Sequence, residues 1–443
     1  MTRLWDRGES LDEAILRLTV GRDPELDLHL VPWDCLASAA HAVMLEKIGV
    51  LSADELDSLR RELALISEEA RQGTLHIEPA NEDGHTAIEN RLTEQVGDAG
   101  RKIHTGRSRN DQVIAALRLW GRQVLLDQIE GVAAIAGRLL ELADKHRETT
   151  VPGYTHTRQA MPTTMGHLFD AWSENLIDDI PWLETAFHHL NRSPLGSASG
   201  FGVGLPLDRH LVSDLLGFER LQVNTLSVQN DRGKSEYMAL AAAATTATDL
   251  GRLAADLIWY SSEEFGFIQL PTAITTGSSI MPQKRNPDVL ELIRAGAARL
   301  RSRQAETGAI YGGLTAGYHR DLQFTKEPFL EGMMSLVDML AALHLVLDGM
   351  TVDSRRCHDA VLPATGATDA VYAQVEAGVS FREAYREQAK SAPADGTDPE
   401  AWRRRTHPGA PGSLTFDIQW QSLADARTRL ARMKSSIDVS LLR

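Results

Sequence analysis

Residues 275–288 read TTGSSIMPQKRNPD. Gly277 and its small neighbours leave the backbone free to bend. Ser278 and Ser279 offer hydroxyls, with the cations of Lys284 and Arg285 close behind. Asn286 before Pro287 is a helix-start signal, an Asn cap followed by Pro at the first helical position. The stretch reads as a mobile polar loop feeding a helix N-terminus. Such a place binds carboxylates and stabilises negative charge as it develops. The competing reading is an ordinary Gly/Ser turn that happens to be basic.

Outward from this loop the chain is helical. A helix follows Pro287, with Leu290, Ile293, Ala297 and Leu300 on one face. Upstream, an Ala-rich run covers roughly 233–262. Before it, a pattern from Pro162 carries Met165, Leu168, Trp172 and Leu176, and Pro181 is expected to kink or end it. A longer pattern runs from about 108 to His146 through Val113, Leu117, Trp120 and Val124. Downstream, another follows Pro328. Five long helices in succession predict a mostly antiparallel bundle. Several look apolar on more than one face, which predicts burial against other subunits. Shorter helical patterns flank the bundle, one of them opened by a Ser52/Glu55 capping box and another starting at Phe381. Ser391–Gly412 is rich in Pro, Gly and charge and reads as a loop. The expected division is 1–103, 104–353 and 354–443.

Three further polar strings interrupt the apolar helices. Residues 106–112 read GRSRNDQ, with Ser108 and Asp111 at capping-box spacing. Arg107 and Arg109 put cations at the positive end of that helix, a conflict that a bound anion would relieve. Residues 153–159, GYTHTRQ, set His156 between Thr155 and Thr157. Residues 317–326 bring Tyr318, Gln323 and Lys326 together off any single helical stripe. His85, in the polar loop NEDGH, reads equally as a substrate contact or a surface residue. Each string also has a bland reading as a solvated cap or loop.

Composition narrows the function. The chain has 443 residues, a net charge of −15 and only 6% aromatics. That charge argues against nucleic acid and anionic membranes as partners, though a local pocket can still be basic. Cys35 and Cys357 fit no metal or redox spacing and read as reduced thiols in a cytoplasmic protein. The first ten residues lack the apolar core of a signal peptide, and no run of about 18 apolar residues suggests a span. No dinucleotide fingerprint, phosphate loop, zinc pair or nucleophile elbow is present. The expected chemistry uses no metal and no cofactor.

The strings together resemble the fumarase/aspartase superfamily, whose signature GSSxMPxKxNP is met by Gly277–Pro287. Within it, HTGRSRNDQ, VPGYTHTRQAMP and YHRDLQFTKEP resemble the argininosuccinate lyase family. The resemblance spans nearly the whole chain and is weakest at its ends. It implies an all-α, three-domain fold, a homotetramer around a long central helix bundle, and active sites each built from three subunits. It implies cofactor-free, reversible elimination of argininosuccinate to arginine and fumarate, in arginine biosynthesis.

The resemblance also implies roles. Ser278 matches the favoured base; a serine needs dryness and a nearby cation, which Lys284 supplies. His156 matches the acid that protonates the leaving nitrogen, oriented by Glu291. Older assignments exchange base and acid. Arg109, Asn110, Thr155 and Asn286 match contacts to the succinyl carboxylates. Tyr318, Gln323, Lys326 and Arg232 match other substrate contacts. Two departures stand out. Arg285 replaces a frequent Lys. The string Val20-Gly-Arg-Asp-Pro24 puts Arg22 or Asp23 where the family usually has Ser, so that Asp23 would pair with the substrate's amino or guanidinium group. Two alternatives remain: a lyase for another N-linked succinate, acylated argininosuccinate included, and a catalytically dead homologue like the lens crystallins.

Overall fold

A computed structural model describes residues 12–390, 398–437 and 440–442. Residues 391–397 of the expected 391–412 loop lie outside that set, as does the N-terminal decapeptide read above.

Four longer helices open the described chain: α1 (Glu13–Val20), α2 (Val31–Lys47), α3 (Ala53–Arg71) and α4 (Gly84–Val96). The Ser52/Glu55 capping box forms as expected at the start of α3. Around Cys35, Leu59, Leu63, Leu92 and Ile103, α2, α3 and α4 build a second core, joined by Ala115 and Leu119 further along the chain.

The bundle consists of α5 (Arg109–Lys145), α6 (Met165–Leu190), α7 (Lys234–Ser261), α8 (Asp288–Tyr311) and α9 (Lys326–Gly349). Close approaches at glycines fix the directions. Gly166 at the start of α6 lies against the Ala143 carbonyl at the end of α5, and Gly121 near the start of α5 lies against Leu190 at the end of α6. Gly308 in α8 meets Tyr237 in α7, and Gly296 meets Met339 in α9. Neighbours joined in sequence are therefore antiparallel, while α5 and α9 run together, Gly121 meeting Phe329 and Gly131 meeting Leu340. A last helix, α10 (Phe416–Ile437), packs on α5 and α6.

The 37 residues of α5 span about 55 Å at 1.5 Å per residue. Ser108 and Asp111 cap it with the expected box. Val113, Leu117, Trp120 and Val124 are all buried, and so is most of the rest of the helix. One chain accounts for that burial by itself, since α2, α6, α9 and α10 surround α5. The outer helices are different: Leu292 of α8 and Leu345 of α9 are 71% and 63% exposed. Within Arg320–Gly349 an 18-residue stretch has a mean hydropathy of 1.6, enough by length and composition for a membrane span, but half of that stretch is buried in the bundle. Cys35 and Cys357 are both buried and unpaired.

Prolines account for most differences from the expected boundaries. Pro162 does not start a helix; it sits in strand β2 (Arg158–Thr164), opposite Pro152 of β1 (Thr150–Thr155). These strands are rich in β-branched Thr and Val, which favours extended structure. The helix waits for Met165, capped by Thr164, whose hydroxyl accepts from the His167 N–H. Pro181 neither ends nor confines α6, which continues to Leu190. A proline forfeits one intrahelical hydrogen bond, and the buried Ile180, Leu183 and Phe187 hold the helix across it. The last helix of the five starts at Lys326, so Pro328 falls in its first turn. Asn286 does not cap α8. It pairs in β4 (Arg285–Asn286) with β3 (Thr276–Gly277), and the cap position belongs to Pro287.

Asp111 ties α5 to the segment after α6. Its fully buried carboxylate accepts from the backbone N–H groups of Ser108 (3.0 Å), Gly196 (3.1 Å) and Ala198 (2.8 Å). Asp111→Ala strands these donors, and we expect a loss of about 3 kcal/mol in urea unfolding. A loss under about 1 kcal/mol would show that the tie is dispensable.

Candidate active site

The antiparallel bundle has two ends, and the polar strings divide between them. At the first lie the starts of α5, α7 and α9. A cavity of about 150 Å³ opens there, lined among others by Asp23, Glu82, Asp83, His85, Arg109, Asn110, Arg232, Tyr318, Arg320, Gln323 and Lys326. Seven residues singled out in the sequence meet in it: Asp23, Arg109, Asn110, Arg232, Tyr318, Gln323 and Lys326.

Each is positioned by its element. Arg109 and Asn110 open α5. The Arg109 guanidinium donates to Glu82 (3.2 Å) and to Thr86 Oγ1 (2.6 Å), and lies 3.4 Å from Asp83. Glu82 and Asp83 thus relieve the charge conflict at the helix start that the sequence suggested an anion would relieve. The neighbouring Arg107 is buried and donates to Ser38 Oγ at 2.8 Å. Glu82 itself is buried at a φ of +67°, an unfavourable backbone for a residue with a side chain. Arg232 lies over the Tyr318 ring, 5.7 Å from its centroid, and donates to the Leu322 carbonyl. Asp231, next to it, holds Arg118 at 2.8 Å and Arg192 at 2.7 Å. Gln323 and Arg320 both donate to the Thr19 carbonyl, closing the cavity with the end of α1.

Lys326 is buried, 2.6 Å from Asp27 and 3.0 Å from Asp23. Burial alone would lower its pKa, but Asp27 and Asp23 raise it above the ordinary lysine value. Asp27 in turn accepts from the Gly84 N–H at 2.9 Å. A Cβ at Gly84 would come within 3.1 Å of the Asp27 Cβ, so a larger residue there would push Asp27 by a few tenths of an ångström.

Sequence reasoning left His85 undecided; the structure puts it in the cavity wall. Its Nδ1 donates to Asp34 Oδ2 at 2.5 Å, and its side chain is only 9% exposed. Burial pulls the imidazole pKa down, but Asp34, Asp83 and Asp27 more than offset this and raise it above the usual histidine value. The signal was present in sequence only as a histidine after two carboxylates. Its decisive partner, Asp34, lies 51 residues upstream.

The other candidates sit at the opposite end. Thr155 and His156 are exposed at the tip of the β1–β2 hairpin, which follows α5. His156 and Thr157 are its two turn residues, with φ of 52° and 60°. Such a turn favours Asn-Gly, and a β-branched residue adopts it only under strain. Tyr154, in the same hairpin, packs edge-on against Trp259 and Phe265. The β3–β4 ladder gives the 275–288 stretch a defined base, with 278–284 as its tip. Half-buried Ser278 accepts from the Met281 N–H at 3.2 Å. Lys284, Asn286 and Glu291 line a cleft of about 710 Å³ beside Asp353 and Arg356. None of Ser278, Lys284, Glu291, Thr155, His156 or Asn286 lines the first cavity. The 24 residues of α8 alone separate Asp288 from Tyr311 by about 36 Å.

Comparison with known proteins bears on what this arrangement serves. Residues 21–301 match a family described as lyase. The argininosuccinate lyase of Sorangium cellulosum is 44% identical, over 94% of this chain and 97% of the relative. That of Stenotrophomonas maltophilia is 41% identical, over 95% and 99%. The chain belongs to the argininosuccinate lyase family. The Bacteroides thetaiotaomicron member is 39% identical, over 94% of this chain and 93% of its own. The fold extends further: EDDS lyase in complex with formate superposes with a TM-score of 0.80 at 24% identity, over 97% of this chain and 94% of that one. A fumarate lyase:delta crystallin from Brucella melitensis gives 0.72 at 18% identity, over 93% and 95%. The matched span 21–301 contains Arg109 and Arg232 of the first end and the 275–288 stretch.

The His85–Asp34 pair gives a test of the electrostatics in this family member. A histidine pKa raised on folding stabilises fully below about 6.5, and the contribution fades as pH rises through the folded value. His85 is expected to titrate above 6.5 by NMR, and Asp34→Asn to bring it down. An unshifted His85 titration in that variant would remove the pair from the account.

Proposed function

We propose that the protein is an argininosuccinate lyase, a soluble enzyme of arginine biosynthesis working in the cytoplasm. It splits argininosuccinate into arginine and fumarate without metal or cofactor. One proton leaves the succinyl carbon, the carbon–nitrogen bond breaks, and the guanidino nitrogen gains a proton. The observation that carries this reading is the charge set of the first cavity. Four cations (Arg109, Arg232, Arg320, Lys326) and three carboxylates (Asp23, Glu82, Asp83) line it, with His85 beside them. Argininosuccinate has three carboxylates, an ammonium and a guanidinium, the complementary set.

In this reading Arg109 and Asn110 hold succinyl carboxylates, joined by Thr155 and Asn286. Arg232, Tyr318, Gln323 and Lys326 hold the remainder of the substrate. Ser278 and His156 share the base and acid roles, with Lys284 stabilising the doubly charged carboxylate and Glu291 orienting His156. A preorganised donor to such an anion is worth about 3–4 kcal/mol. A single chain keeps these groups at opposite ends of the bundle, so we propose a homotetramer in which neighbouring copies run oppositely. The hairpin and 275–288 stretch of two copies would then meet the cavity of a third. The exposed Leu292 and Leu345 support this packing.

Fumarate release, followed by ultraviolet absorbance, is expected from argininosuccinate and not from adenylosuccinate or aspartate. Turnover of either of the latter alone would overturn the assignment. Ser278→Ala is expected to fold normally, by circular dichroism, and to lose at least about 100-fold in kcat. Ser278→Ala and Arg109→Ala, each inactive alone, are expected to regain activity when dissociated and reassembled together. No regain across all mixing ratios, with tetramers re-formed by light scattering, would argue for sites made within one chain.

A further inference from the structure

The segment joining α1 to α2 is clamped onto the first end of the bundle by charge. Arg22 lies 2.8 Å from Glu327 and 2.9 Å from Glu331, and Arg303 also reaches Glu331. This clamp fixes the next residue, Asp23, at the start of the short helix Asp23–Leu26. Asp23 Oδ1 lies 3.0 Å from Lys326 Nζ. Lys326 already has Asp27 at 2.6 Å, and Asp27 spends its other oxygen on the Gly84 N–H. Asp27 is 4% exposed, whereas Asp23 is 15% exposed and lines the cavity. Lys326 is one cation between two carboxylates, so this wall holds one negative charge in excess. Burial, with Asp27 and Asp83 adding to it, pushes the Asp23 carboxyl up even against Lys326. A cation bound here would relieve that excess.

Building on the proposed lyase reading, we propose that Asp23 selects substrate by pairing with a free α-ammonium group, and so rejects N-acylated argininosuccinate. The substrate has two cations. Its guanidinium carries the bond that breaks, so it must face the proton donor and the loop hydroxyl brought in from outside the cavity. The α-ammonium, at the far end of the arginine side chain, is left for the inner wall. Acylation turns it into a neutral amide and leaves Asp23 to share Lys326 with Asp27, its negative charge unmatched. Sites built around one polar group reject analogues lacking it far more strongly than apolar pockets reject a missing methylene.

The test compares argininosuccinate with N-acetylargininosuccinate in the purified full-length enzyme. The wild type is expected to favour the free amine by at least about 100-fold in kcat/KM. Asp23→Asn is expected to reduce that preference below about 10-fold, mainly by raising KM for argininosuccinate. Asp27→Asn removes the other partner of Lys326 and is expected to keep the preference. Calorimetry with arginine and N-acetylarginine on the wild type gives a readout that needs neither turnover nor a variant, and arginine is expected to bind the more tightly. Equal use of both substrates by the wild type, or an unchanged ratio in Asp23→Asn, overturns the proposal. Absence of fumarate from argininosuccinate would instead overturn the lyase reading, and the two binding isotherms, repeated on Asp23→Asn, would still decide the role of Asp23.

Discussion

The stiffness of α5 governs this molecule. A buried helix of 37 residues is a strut of fixed length; α6 and α9 are laid along it, α7 packs on both of them, and α8 packs on α7 and α9. The chain passes from one end to the other with each helix, so each connecting segment belongs to one end only. The segments after α6 and α8, with the start of α5, meet at the first end, where the N-terminal helices cover them. Those after α5 and α7 meet at the other. Chemistry that draws on both ends therefore depends on assembly, because no hinge in a packed bundle could close such a gap.

Charge at the first end is arranged with the same economy. The buried guanidinium of Arg118 and the partly buried one of Arg192 converge on Asp231, whose carboxyl stays well below its ordinary pKa despite burial because of His189, Arg118 and Ser235. Arg122 has no carboxylate partner among the described residues. It donates to Asn191 Oδ1 and to the Gly217 and Leu216 carbonyls, over the face of Phe218, and burial lowers its pKa to about 9. Asp231 of the first network adjoins Arg232 of the cavity wall. The walls, from Asp23 to Lys326, keep charges that a substrate can still meet.

Much of this was legible in the sequence for a local reason. The five bundle helices announce themselves by period, and the Ser108/Asp111 and Ser52/Glu55 boxes by spacing, all over a few residues. Where the reading slipped, the determinants lay outside the window: Pro162 was recruited into a strand by Pro152 across a hairpin, and Asn286 into a ladder by Thr276. The cavity divides the same way. Arg109 stood out as a charge at a helix start, but Glu82 and Asp83 as its partners did not. The Asp34–His85 pair was invisible because it joins two helices of a separate core. The sequence strings also carry no information about which end of the bundle they occupy; that follows only from counting helices.

The hairpin tip carries a consequence for how this scaffold can change. His156 and Thr157 both occupy the left-handed region, and the long strand pairing from Thr150 to Thr164 is what keeps them there. An Asn-Gly turn would relax that backbone, so selection for heat resistance alone would push the tip toward it and erase the imidazole. Keeping the imidazole on this strained corner therefore limits how far thermal stability can be raised at the hairpin tip, while the helices remain open to improvement.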